Sequence, residues 1–194
     1  MEVTETDELD RMAMVRLAAG HDAALSDLME RHAPAVFRFL SRMLNNDDDA
    51  NDLAQETFVR VYQARESFNT NKRFSTWLFT IAANLARNQI RWRSRHPNVS
   101  LESKLDAEET SLAERISSTA PTPKEEVLSA ERAAAVRAAV NALPADMREA
   151  IVLCEWEEFS MAETAAILKT TPKAIESRLY RARQSLRDRL KTWL

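Results

Sequence analysis

Residues 160–183, SMAETAAILKTTPKAIESRLYRAR, carry the spacing of two short amphipathic helices joined by a tight turn. Ser160 and Glu163 stand at the S-x-x-E spacing of a capping box, in which each side chain satisfies a free N–H of the first turn. Ala162, Ala165, Ala166 and Leu168 keep this first helix narrow enough to pack closely on a second. Thr171 can cap the next helix, and Pro172 falls at its first position, where a missing N–H costs nothing. Beyond it Ile175, Leu179, Ala182, Leu186 and Leu190 recur as one apolar stripe, while Lys173, Ser177, Tyr180, Arg181 and Gln184 share the opposite face. A helix buried on one side and carrying Lys, Arg, Ser and Gln on the other suits the major groove of DNA. The pattern also fits an ordinary helical hairpin with a solvated charged face. The base-contact chemistry of those side chains favours DNA.

Whole-chain charge pulls the other way. Over 194 residues, Lys+Arg number 27 and Asp+Glu 30, a net charge of −3 with a pI near 5.7. A protein that holds DNA alone usually carries a positive excess, because phosphate neutralisation supplies most non-specific affinity. A partner is therefore expected to bring most of the affinity. Glycine occurs once, at Gly20, no stretch alternates like a half-buried strand, and Ala, Leu, Arg and Glu dominate. The expected fold is all-α, and phosphate-cradling glycine loops are excluded. No apolar run approaches ~18 residues and the start is acidic, so neither a membrane span nor a secretory signal is expected. One cysteine, Cys154, cannot form an intrachain disulfide, which fits a cytoplasmic protein.

The chain divides in the middle. Residues 97–123, PNVSLESKLDAEETSLAERISSTAPTP, are rich in Ser, Thr, Glu and Ala, lack aromatics and have proline at both ends. They read as an acidic, mostly extended linker with a helical turn around Ala113–Ile116. Two helical domains flank it, 1–96 and 124–194. In the first, Leu9, Met12, Ala13 and Leu17 start a helix that Gly20 ends, and Asp22 can cap the next. Pro34 is expected to interrupt that helix before Val36, Phe39, Leu40 and Met43 resume the pattern. Asn45–Asp49 reads as an acidic loop leading into a helix from about Ala50 to Arg65, since carboxylates favour a helix's positive end. Leu53, Ala54, Phe58, Val61 and Tyr62 face inward there, and Asp52, Gln55, Glu56 and Arg60 outward.

A long helix follows from about Ser75 to Arg95. Trp77, Leu78, Ile81, Ala82 and Leu85 read as core. Further on Arg87, Arg91 and Arg95 recur every four residues, with Asn84 and Asn88 on the same side and Trp92 and Arg93 beside them. Such a stripe is often only solvated. Here it forms a second basic surface, separated by a linker from the first, which points to two DNA elements. Asn and Arg can hold bases lifted from the stack, and Trp92 offers a stacking face.

DLAQETFVRVYQA (Asp52–Ala64), FSTWLFTIAANLARNQIR (Phe74–Arg91) and the C-terminal helix pair, in this order, resemble the extracytoplasmic-function (ECF) class of bacterial sigma factors. The resemblance covers almost the whole chain. It implies that Asp52, Gln55, Glu56 and Arg60 grip a coiled coil of core RNA polymerase. It places −10 promoter recognition and opening on Asn84, Arg87, Asn88, Arg91 and Arg95, with Asn84 the leading candidate for an extruded base. It gives −35 recognition to Lys173, Glu176, Ser177, Arg178 and Arg181. The linker is expected to thread toward the polymerase active site and RNA exit, and an anti-sigma factor is the expected inhibitor. The implied subunit is a monomer outside its complexes, with no cofactor, metal or catalytic site. Two positions depart from the family pattern: Lys169 stands in the turn where glycine is common, so it is expected to take a positive φ at some cost. Glu176 stands where a basic residue is common, and can accept from cytosine N4 or weaken phosphate contact.

Other classes explain less. An autonomous helix-turn-helix regulator accounts for the C-terminus but not for the second basic helix, and would usually dimerise on paired half-sites. An anti-sigma or adaptor protein would make Lys173 and Arg181 dispensable. For an enzyme, Cys154 shares a helical face with Met147 and Ile151 and reads as packing. His21, His32 and His96 lie at no metal-ligand spacing and read as surface residues, and Trp77, Phe58 and Phe79 read as core.

Overall fold

Gly20 and the residues around it set the first corner of the chain. α1 (Glu5–Ala18) buries Asp10, Ala13, Met14 and Leu17. It ends where the His21 N–H reaches the Arg16 carbonyl at 3.0 Å and the Gly20 N–H reaches Leu17 at 3.1 Å. That pair of bonds needs a left-handed residue, and Gly20 supplies it at φ 89°. The computed structural model describes residues 5–96 and 123–193, so the expected linker, with its turn at Ala113–Ile116, lies outside the described residues.

α2 (Ala23–Leu44) runs unbroken through Pro34, against the expected interruption. Pro34 is exposed, so its missing N–H and the carbonyl it leaves unpaired face outward. Leu28 on one side of it and Val36, Phe39, Leu40 and Met43 on the other are fully buried on one face. Each contributes about 1.5–3 kcal/mol of burial, enough together to outweigh a loss of about 3 kcal/mol at a helical proline. α3 (Asp47–Gln63) begins three residues before the expected Ala50, because Asn46 caps it: its Oδ1 accepts from the Asp49 N–H at 2.8 Å. The aspartates Asp47, Asp48 and Asp49 are therefore the first turn rather than a loop, lying at the positive end of the helix dipole. A short 3₁₀ turn (Arg65–Ser67) leads to the loop before α4 (Phe74–Arg95).

The C-terminal half holds α5 (Pro123–Asn141), α6 (Ala145–Ile151), a π-helical turn (Val152–Trp156), α7 (Met161–Leu168) and α8 (Pro172–Arg189). The capping box at Ser160 is formed: the Glu163 N–H donates to Ser160 Oγ at 3.2 Å, and the Ser160 N–H to Glu163 Oε2 at 2.9 Å. α7 packs through Thr164, Ala165, Ile167 and Leu168, whereas Ala162 and Ala166 face out, a correction to the narrow-helix expectation. Lys169 ends α7 at φ 52°, as the missing glycine required, and the Thr170 N–H closes the turn on the Ala165 carbonyl at 2.9 Å. Thr171 caps α8, and Ile175, Leu179 and Ala182 are buried along it.

Among the described residues there is no strand, and no helix is long and apolar enough to cross a membrane. The two halves share one core. Phe79 of α4 meets Phe39 of α2 at 5.5 Å between ring centroids, and Phe159 before α7 at 4.9 Å.

Candidate nucleic-acid interface

α3 presents Asp52, Gln55, Glu56 and Arg60 outward because Ala54, Thr57, Phe58 and Val61 take the core. Arg60 Nε donates to Glu56 Oε1 at 2.8 Å one turn below, which holds both side chains along the helix. Val59 lies on the same face and is 46% exposed. Sequence reading passed over it because an apolar residue beside Phe58 and Val61 looks like core; its place between Gln55–Glu56 and Arg60–Gln63 in the helical period is the signal.

A shallow groove of about 430 Å³ joins this face to α4, lined by Glu56, Arg60, Gln63, Trp77, Ile81 and Asn84, with Ala64 and Ser67 closing one end. Trp77 is half-buried rather than core because it forms the groove wall, braced by Phe68 at 5.0 Å and Phe74 at 6.1 Å. An aromatic wall next to the Asn84 amide offers a stacking surface beside a hydrogen-bonding group. Asn84 Oδ1 already accepts from Arg87 Nη1 at 3.3 Å.

The basic stripe of α4 does not stay together. Asn88, Arg91 and Arg95 are exposed, and Trp92 at the same end stacks on His96 at 4.8 Å. Arg93 turns back to the Leu44 carbonyl at 3.2 Å and to Asp49, away from the stripe. Arg87 turns into the seam between the halves, where its Nε donates to Glu149 Oε1 at 2.7 Å with side chains 22% and 5% exposed. Burial pushes the Glu149 carboxyl above its ordinary range, and the Arg87 guanidinium only partly opposes this.

On α8, Lys173, Glu176, Ser177, Arg181 and Gln184 face solvent, and Tyr180 among them is 72% exposed. Arg178 is drawn aside to Asp146 of α6 at 3.5 Å. Glu176 has no ion pair among the described residues. The histidines divide: His21 and His96 are exposed, but His32 is not the surface residue expected. Its Nε2 lies 2.7 Å from Oδ2 of the buried Asp10, whose Oδ1 accepts from Arg31 at 2.9 Å, and its ring packs on Phe74. A buried aspartate 22 residues away draws it inward. Cys154 is half-buried with Sγ 3.2 Å from Thr164 Oγ1, and burial pushes its thiol pKa up.

Residues 28–96 of this all-α fold match sigma-70 region 2 and residues 133–186 match sigma-70 region 4, which defines the class as a sigma factor of the sigma-70 type. ECF RNA polymerase sigma factor SigW of Bacillus subtilis is 31% identical over 173 residues, 89% of this chain and 91% of the relative. Among solved structures, CnrH in complex with the cytosolic domain of CnrY superposes with TM-score 0.70 at 26% identity, over 95% of this chain and 98% of that one. The sigma factor RpoE of Bartonella quintana, in complex with the anti-sigma factor NepR, gives TM-score 0.64 at 29% identity, over 86% and 96%. The chain belongs to the extracytoplasmic-function sigma factors of RNA polymerase.

Proposed function

We propose that this sigma factor divides its labour by helix. The α3 face, Asp52, Gln55, Glu56 and Arg60 together with Val59, docks on core RNA polymerase. α4 captures the −10 element, with Asn84 and the groove beside Trp77 receiving an extruded base and Arg87, Asn88, Arg91 and Arg95 holding the strand. α8 reads the −35 duplex through Lys173, Glu176, Ser177, Arg178 and Arg181. Residues 1–96 and 124–194 act as the two arms and 97–123 as the linker between them. The polymerase supplies the chemistry, so this subunit is not an enzyme, and it works in the cytoplasm. An anti-sigma factor holds it inactive, as the partners of CnrH and RpoE suggest.

The supporting observation is the groove that runs from the Glu56–Arg60 docking pair to Asn84, since strand capture then happens next to the polymerase contact. Reconstitution tests this directly. The chain, bacterial core polymerase and a fragmented genome are combined and transcript starts are mapped. Starts clustered behind one shared −35/−10 pair are expected, and no promoter-specific starts would sink the proposal. Tight, specific binding of a duplex by the chain alone would instead favour an autonomous regulator. On the promoter recovered, Arg181→Ala is expected to cost about 1–3 kcal/mol, roughly 5- to 150-fold in affinity, and to relax preference at one −35 position. Asn84→Ala is expected to slow open-complex formation while leaving duplex −35 binding unchanged.

A further inference from the structure

α4 begins without help from its own sequence. Its first turn holds no acidic residue, and the side chain of Arg73 ahead of it makes no capping bond. The start is set from outside instead, by two aspartates that stand one helical turn apart on α1. Asp7 Oδ1 accepts from Arg73 Nε at 2.9 Å, and the Arg73 carbonyl accepts the Trp77 N–H at 3.3 Å. Asp10, 1% exposed, acts on the next residue through a histidine. Its two oxygens meet Arg31 Nε at 2.9 Å and His32 Nε2 at 2.7 Å. A carboxylate held by a guanidinium is an acceptor only, so Nε2 carries the proton and the imidazole is fixed in one orientation. That ring lies 5.2 Å from the ring of Phe74, tilted by 59°.

Phe74 is the buried corner of an aromatic triangle. Phe68 stands 6.0 Å and Trp77 6.1 Å from it, and these two lie 5.0 Å from each other. Trp77 in turn lines the groove that holds Asn84. The aspartate that orients His32 belongs to a helix ahead of residue 28, where the match to sigma-70 region 2 begins.

We propose that His32, oriented by Asp10, is a positioning residue for strand capture: its ring braces Phe74 and so fixes the Trp77 wall against which the extruded base is received. The inference rests on the assignment of that groove to the −10 strand. Close-packed rings in single rotamers pass a displacement on to their neighbours. An apolar pair could fill the α1–α2 contact without the cost of burying a carboxylate. The Asp10–His32 bond supplies what such a pair lacks, a set orientation for the ring.

The two roles open to His32 predict opposite variants. A residue that only satisfies Asp10 is replaceable by Gln and not by Phe, whereas a brace is replaceable by Phe and not by Gln. Holoenzyme assembled with core polymerase is titrated against a fluorescein-labelled single strand carrying the −10 element recovered by transcript mapping, with anisotropy as the readout. Abasic sites scanned through that strand, with wild type and Asn84→Ala, locate the base received in the groove. His32→Gln is expected to bind the intact strand about tenfold more weakly, within what one base–aromatic stack supplies, and to match wild type on the strand abasic at that position. His32→Phe is expected to restore capture of the intact strand. Phe74→Leu keeps an apolar side chain and removes the ring, so it is expected to repeat the His32→Gln loss, and it carries the test if circular dichroism shows that His32→Gln has lost helicity. Affinity for the −35 duplex is expected to stay at the wild-type level in all three. Wild-type capture by His32→Gln and Phe74→Leu, an equal loss on intact and abasic strands, or a His32→Phe as weak as His32→Gln overturns the brace. A strand on which no abasic position coincides with the Asn84→Ala loss overturns the groove assignment as well, which separates the two failures.

Discussion

Lys169 holds a left-handed conformation, φ 52° and ψ 50°, that costs a non-glycine residue roughly 1–2 kcal/mol. The turn it makes closes two bonds at the end of α7 and aims α8, so the strain is retained for geometry. Lys169→Gly keeps the turn, removes the clash and gives back part of the gain through a freer unfolded chain. A net stabilisation of up to about 1 kcal/mol is expected, a rise of roughly 2–4 °C in Tm for a chain of this size. Glu176, exposed and without an ion pair among the described residues, stands two residues before Arg178 and is expected to affect sequence choice and not folding. Glu176→Lys should leave Tm unchanged while shifting the −35 bases enriched in a selection from random duplexes. The left-handed turn at Lys169 was legible from the resemblance, and the exposure of Glu176 from its place on the helix, because a turn and a helix face are local. Arg87 was not: its partner Glu149 lies 62 residues away, and period alone placed it with Asn88 and Arg91.

Among the helices, α7 joins local and distant chemistry in one carboxylate. Glu163 closes the capping box on Ser160 and pairs with Arg73, which also binds Asp7 at 2.9 Å. Burial would raise its pKa, but the bonds from Ser160 and Arg73 outweigh this and hold it below its ordinary 4.5. A depressed carboxylate stabilises the fold above the unfolded value, and that stability is lost as pH falls through the folded one. The stability gap between wild type and Glu163→Gln is therefore expected to be constant from pH 7 to 5 and to close below about 4.5, as urea unfolding at each pH will measure. Ser160→Ala should cost about 1 kcal/mol at neutral pH. The capping box was readable because it spans four residues. The continuity of α2 through Pro34 was not, since the face that outweighs the proline is defined by packing on α3 and α4. Nor was the inward turn of His32, which answers to Asp10 on another helix.

Across the whole chain the net charge of −3 looks adverse to DNA binding, yet residues 97–123 alone carry five carboxylates against two cations and account for all of it. The two helical halves together are neutral, and their cations are distributed by use. On α8, Lys173 and Arg181 face solvent, while Arg178 is paired with Asp146 and Arg183 with Glu155. Lys173 and Arg181, the cations assigned to the −35 duplex that carry no ion pair among the described residues, neutralise about two phosphates, so their share of the free chain's salt dependence on a short duplex is a slope of about −2 in log K against log salt. Freeing Arg178 by Asp146→Asn should steepen this by about one unit, and adding core polymerase, with its own DNA channel, should steepen it much further. Equilibrium binding between about 50 and 200 mM salt measures all three slopes. A free-chain slope as steep as that of the polymerase-bound form would mean that the chain carries its own grip on DNA, and the division of labour between selector and polymerase would fall with it.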